Sequence, residues 1–176
     1  MTKSILIPSA LLACAAFSFA GNPQSPSAQA SATIAGKTIT IKYSAPSLRG
    51  RKMFAPDGPI SKDPTYPAWR TGADDATALH TDADFVIGGL NVPKGDYTIY
   101  TLVNNMPWQL IINKQTKQWG TDYDAKQDLG RVPMTMSKPS APIEIFKITL
   151  SSAAGNKGKL QLEWENVIAS VPFTVK

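Results

Sequence analysis

Short runs in which apolar and polar residues alternate recur along most of this chain, and a period of two describes a strand with one buried face. The runs are Thr38 to Tyr43, Phe85 to Ile87, Tyr97 to Val103, Trp108 to Ile112, Val132 to Met136, Ile143 to Leu150, Lys159 to Trp164 and Val167 to Val175. Around the seventh, Leu160, Leu162 and Trp164 share one face while Gln161, Glu163 and Glu165 share the other. No stretch sustains a helical period of three to four residues. The expectation is an all-β antiparallel β-sandwich, or a flattened barrel, of about eight strands with at most one short helix. Repeats at a fixed period are absent, which excludes propellers and solenoids.

Turn residues separate the runs. Pro93-Lys94-Gly95-Asp96 sets proline where φ must lie near −65° and glycine where a positive φ costs little. Asn104-Asn105-Met106-Pro107 and Gly155-Asn156-Lys157-Gly158 read as hairpin connections. A chain of 176 residues suffices for one such domain and its core.

The first twenty residues read as an export signal. Lys3 supplies the positive end, Ile5 to Phe19 is almost wholly apolar, and Ser18-Phe19-Ala20 places small residues for cleavage after Ala20. The apolar run is shorter than the roughly 20 residues that span a bilayer, and no later stretch approaches that length. An exported, periplasmic or secreted protein without a transmembrane helix is expected. Leu11-Leu12-Ala13-Cys14 loosely resembles a lipoprotein cleavage motif, so a lipid anchor at Cys14 stands as the alternative. Loss of the leader removes the single cysteine, and with it thiol chemistry, disulfides and cysteine metal sites. Residues 21–32, small and polar with two prolines, read as a flexible tether, so that the domain spans 33–176.

Without Lys3 the 18 Lys+Arg become 17 against 13 Asp+Glu, a net charge of +4. These cations are scattered with few aromatics among them, which argues against nucleic acid as a partner. The span from Ala45 to Asp84 holds five prolines and little alternation, and long irregular segments inside a compact domain are functional or disordered. Met53, Phe54, Tyr66 and Trp69 argue for order.

Two clusters flank this excursion: Ser44 to Lys52, with Arg49 and Arg51, and Trp69 to Thr77, with Arg70, Asp74, Asp75 and Thr77. A guanidinium pairs bidentately with a carboxylate, so Asp74 or Asp75 are the expected partners of the arginines. An arginine left unpaired in a cleft would take an anionic or hydroxyl-rich ligand. Trp69 is expected as a core anchor, with a sugar-stacking face as the alternative. His80, the only histidine, has no nucleophile motif to serve and reads as a half-exposed strand residue. No cofactor or metal is expected: zinc and copper lack ligands, and Asp74, Asp75, Asp82 and Asp84 do not follow a calcium-loop spacing.

The segments Tyr43-Ser44-Ala45-Pro46-Ser47-Leu48-Arg49-Gly50-Arg51 and Trp69-Arg70-Thr71-Gly72-Ala73-Asp74-Asp75-Ala76-Thr77 closely resemble the bacterial family called domain of unknown function 2911. Val92-Pro93-Lys94-Gly95-Asp96-Tyr97-Thr98-Ile99-Tyr100 and Trp108 to Asn113 match it as well, and the resemblance runs from about Ser31 to Lys176. Many members carry Asn-Glu where this chain has Asp74-Asp75. The resemblance implies an exported all-β protein and no particular activity. The function expected is a non-enzymatic binding or interaction module for a polar or anionic ligand, lined by Arg49, Arg51, Trp69, Arg70, Asp74, Asp75 and Thr77. A hydrolase of envelope glycans and a purely structural charged network are the alternatives.

Overall fold

The structure is a computed structural model that describes residues 25–176. The expected export leader and the expectation for Cys14 fall outside the described residues. Among those residues no helix is long and apolar enough to cross a membrane.

Two antiparallel sheets pack face to face and do not close into a barrel. The strands are β1 (Ser27–Ile34), β2 (Lys37–Ser44), β3 (Ala68–Trp69), β4 (Ala73–Thr81), β5 (Phe85–Ile87), β6 (Leu90–Val92) and β7 (Gly95–Leu102). They continue with β8 (Gln109–Asn113), β9 (Asp128–Pro133), β10 (Thr135–Ser137), β11 (Ile143–Ser152), β12 (Lys157–Glu165) and β13 (Val167–Val175). The first sheet runs β1-β2-β4-β7-β8-β9 with β3 beside β7, and the second runs β11-β12-β13-β5-β6 with β10 beside β13.

The alternation seen in the sequence decides which side chains meet between the sheets. Ile39, Ile41, Ile99, Leu110 and Ile112 of the first sheet face Phe146, Leu162, Trp164, Val171 and Phe173 of the second, all buried. Each such side chain contributes about 1.5–3 kcal/mol by leaving water. In β12 Leu160, Leu162 and Trp164 point inward while Gln161, Glu163 and Glu165 are partly exposed, as their spacing requires.

Three boundaries differ from the sequence expectation. The fold has thirteen strands among the described residues rather than about eight, because β1 and β4 fall in the spans read as tether and excursion and pieces as short as two or three residues, such as β3 and β6, carry no visible period. The flexible tether expected over 21–32 does not hold from Ser27 onward, since Ser27 to Ala32 belong to β1 and pair with β2 from Ser27↔Ser44 to Ile34↔Lys37. Small residues suffice there because the neighbouring strand supplies the hydrogen bonds and Ala30 and Ile34 turn inward. The excursion ends at Gly72 rather than Asp84, because β4 lies mid-sheet between β2 and β7. Leu79 is its only large apolar side chain, so its period was masked by alanine, threonine and aspartate.

The outer face of the first sheet is partly roofed by the connection from β8 to β9. Tyr123 in that connection lies 4.6 Å from Tyr100, over a small apolar cluster with Ala68, Ala76 and Ile111. Its hydroxyl donates to Asp128 at 2.8 Å, and Arg131 donates to the same carboxylate at 2.7 Å. Burial, then the Asp128 carboxylate, push the Tyr123 phenol up to about 12.

Candidate functional site

The excursion begins as a strip laid along the start of β11. The Leu48 N–H donates to the Glu144 carbonyl, the Phe146 N–H donates to that of Pro46, and Ser47 bridges Ile145. The chain then reverses through Leu48-Arg49-Gly50-Arg51, closed by the Arg51 N–H on the Leu48 carbonyl at 3.0 Å. Arg49 and Gly50 both have positive φ, 49° and 73°, the signature of a type I′ turn. Both arginines therefore stand on one tight turn. Arg51 folds back, its Nε donating to the Leu48 carbonyl at 2.9 Å and its Nη2 to that of Ser47 at 2.8 Å. Neither Arg49 nor Arg51 forms an ion pair with a carboxylate among the described residues.

Arg70 sits on the far side of the cleft and is engaged. Its Nη2 donates to Asp63 Oδ2 at 2.5 Å and its Nη1 to the backbone carbonyl of Asp74 at 3.3 Å. The expected pairing with the Asp74 or Asp75 side chain is thus replaced by Asp63, which an Asp63-Pro64-Thr65 turn presents: Asp63 Oδ1 accepts from both the N–H and the hydroxyl of Thr65. Burial opposes ionisation of Asp63, but the Thr65 and Arg70 donors outweigh it and hold the carboxyl below its ordinary value.

Thr71 follows at φ 53°, an outlying conformation for a β-branched residue. Hydrogen bonds hold it there. Its Oγ1 lies 2.8 Å from Thr101 Oγ1, its carbonyl accepts from Thr77 Oγ1 at 2.8 Å, and the Trp69 indole N–H donates to the next carbonyl, that of Gly72, at 3.0 Å. Asp74, at φ 59°, gives its carbonyl to the Gly120 N–H and its carboxylate to the Ser25 N–H. A side chain at position 120 would collide with Arg70 and the Asp74 carbonyl, so only glycine allows this approach. Two distant carboxylates complete the frame: Glu144 accepts the Arg49 N–H, and Glu165 accepts those of Met53 and Phe54.

Together these elements enclose a cleft of about 340 Å3, which Arg49, Arg51, Asp63, Arg70 and Asp74 all line. Of the seven residues singled out by sequence, Arg49, Arg51, Trp69, Arg70 and Asp74 meet here, while Asp75 and Thr77 do not. Trp69 is only 1% exposed and offers no stacking face. Thr77 is fully buried and acts through the Thr71 backbone. Asp75 lines a separate groove. The two neighbouring aspartates therefore do not form an acid–base pair across one cleft. Asp63, Glu144, Glu165 and Thr71 were missed by sequence reasoning. Only the Asp63-Pro64-Thr65 turn left a local signal. No group of three or more His, Asp or Glu among the described residues is placed to hold a metal.

Thr77→Val tests the frame, since it removes the buried donor to the Thr71 carbonyl at nearly constant shape. It is expected to cost about 1–3 kcal/mol in urea unfolding. An unchanged midpoint would mean that this bond does not hold the strained turn.

His80 is half-exposed on β4, as expected. Its Nδ1 lies 2.7 Å from Asp96 Oδ1 and its Nε2 3.1 Å from Asp82 Oδ1. The Asp96 bond first, then that to Asp82, raise the imidazole above its ordinary value. Both ring nitrogens thus face carboxylates.

The family model described as a protein of unknown function, DUF2911, matches residues 25–173. No curated protein and no solved structure matches the chain. The family match takes in both sheets and every residue that lines the cleft, and the chain belongs to the DUF2911 family.

Proposed function

We propose that the protein is an exported, non-enzymatic binding module that takes a small anion, a carboxylate or a phosphate, between Arg49 and Arg51 in the cleft. The observation that carries this reading is the pair of guanidinium groups on one turn at a 340 Å3 cleft, neither matched by a carboxylate among the described residues. The planar donor fork of arginine suits such oxyanions. Supporting it is the backbone conformation at the cleft: Arg49 and Asp74, which line it, and Thr71 beside it all hold positive φ. Such conformations cost of order 1–3 kcal/mol per residue and cluster where a fold holds a ligand site. Hydrolysis is not part of this reading, because the two carboxylates in the cleft are already engaged, Asp63 by Arg70 and Thr65, Asp74 by the Ser25 N–H.

Thermal unfolding in low salt with inorganic phosphate or citrate tests the proposal. An anion that binds only the folded state at 100 times its Kd adds about 2.7 kcal/mol of stability. That gain is expected for the native chain and absent from the Arg49→Ala/Arg51→Ala variant. If neither anion stabilises the native chain, or the variant gains equally, the reading fails.

A further inference from the structure

Asp75 opens onto a groove of about 830 Å3 on the outer face of the first sheet, larger than the cleft. That volume lies within the roughly 300–1,000 Å3 of small-molecule sites. Its floor is the small side chains Ala76 and Ala78 of β4, with Thr40 and Lys42 of β2 on one side and Thr116, Lys117 and Gln118 on the other.

The second wall is fixed in place. The Ala76 N–H donates to the Gln118 carbonyl, the Gly120 N–H to that of Asp74, and Asp75 bridges Trp119. The Gln118 amide donates to Thr98 Oγ1 and the Tyr100 hydroxyl, and Thr98 Oγ1 donates to the Gln115 carbonyl. Lys117 is held at φ 65°. A wall pinned this way has little conformational entropy left to lose when a ligand arrives.

The lining selects by chemistry. Lys42, Lys117 and His80 are interleaved with Asp75 and Asp96, so neither sign dominates. Hydroxyls of Ser27, Thr40, Ser44 and Thr116 stand among them. Such a surface offers donors and acceptors side by side, which suits a ligand whose own groups are each both donor and acceptor. We propose that this groove is a second binding site, for a neutral oligosaccharide, independent of the anion cleft.

Amide-resolved NMR titration of the native chain with cellotriose, maltotriose and chitotriose tests this. At least one of the three is expected to shift the amides of Ala76 to Ala78 together with Lys117 and Gln118. Asp75 and Lys42 are exposed, and their side chains make no hydrogen bond among the described residues. The Asp75→Ala/Lys42→Ala variant is therefore expected to melt like the native chain yet bind at least about tenfold more weakly, the effect of losing a hydrogen bond to a charged group. Arg49→Ala/Arg51→Ala is expected to leave this binding unchanged, which separates the groove from the cleft. The proposal is overturned if none of the three sugars moves the groove amides, if the shifts map to another face, or if an extended tripeptide such as Ala-Ser-Ala moves them and the sugars do not.

Discussion

Asp63→Ala is expected to remove about 3–5 kcal/mol of folding stability, because it strands the largely buried guanidinium of Arg70 without its carboxylate. The two side chains are only 14% and 11% exposed, so solvent screening is weak. The variant also loses the two Thr65 bonds that shape the turn. For a protein of this size the melting temperature is expected to fall by roughly 6–20 °C. Arg70→Met is expected to cost less, since Asp63 keeps its Thr65 donors and the methionine stem preserves the packing. A double-mutant cycle measured by urea unfolding gives the coupling, and an Asp63→Ala midpoint equal to that of the native chain would show that the ion pair is not formed.

The same pair sets an acid limit. Because the folded carboxyl of Asp63 is held below the unfolded value of 3.8, its contribution is fully present above that value. It is lost as pH falls through the lower folded value. Asp63→Asn is expected to flatten this limb of the stability profile.

How much of this was legible follows from where each contact lies along the chain. Strands such as β2, β12 and β13 announce themselves because alternate residues are buried by the same sheet, a local pattern any register must respect. β4 did not, although it lies mid-sheet. Its outer face carries Ala76, buried beneath the roofing connection, and Ala78, exposed on the groove floor, and small residues there blur the alternation. Convergence of Arg49, Arg51, Arg70 and Asp74 could be anticipated from two clusters flanking one excursion. The choice of carboxylate could not. Glu144 and Glu165 reach the excursion from about 95 and 112 residues away, through a packing of sheets that no local spacing encodes. Asp74 and Asp75, adjacent in sequence, line different cavities because the positive φ of Asp74 and the register shift against β2 between Lys42 and Ser44 break the alternation of β4 at that point.

Trp69→Ala is expected to be about as damaging, at about 3–5 kcal/mol for the lost ring and its cavity. The indole is 1% exposed and stacks on Trp164 at 5.7 Å and 20°. Phe146 and Phe54 meet it edge-on at 5.0 and 5.6 Å, so this residue joins the excursion to both sheets. Its N–H also satisfies the Gly72 carbonyl beside the strained Thr71. Trp69→Phe separates the two contributions. It keeps an aromatic ring among its neighbours but leaves that buried carbonyl without its donor, a loss of about 1–3 kcal/mol. A tryptophan that served instead as a stacking face for a ligand would behave in the opposite way, with Trp69→Ala folding normally and losing affinity. The core position predicts that Trp69→Phe, once folded, still binds phosphate or citrate at the Arg49 and Arg51 turn. Native-like melting of Trp69→Ala would contradict it.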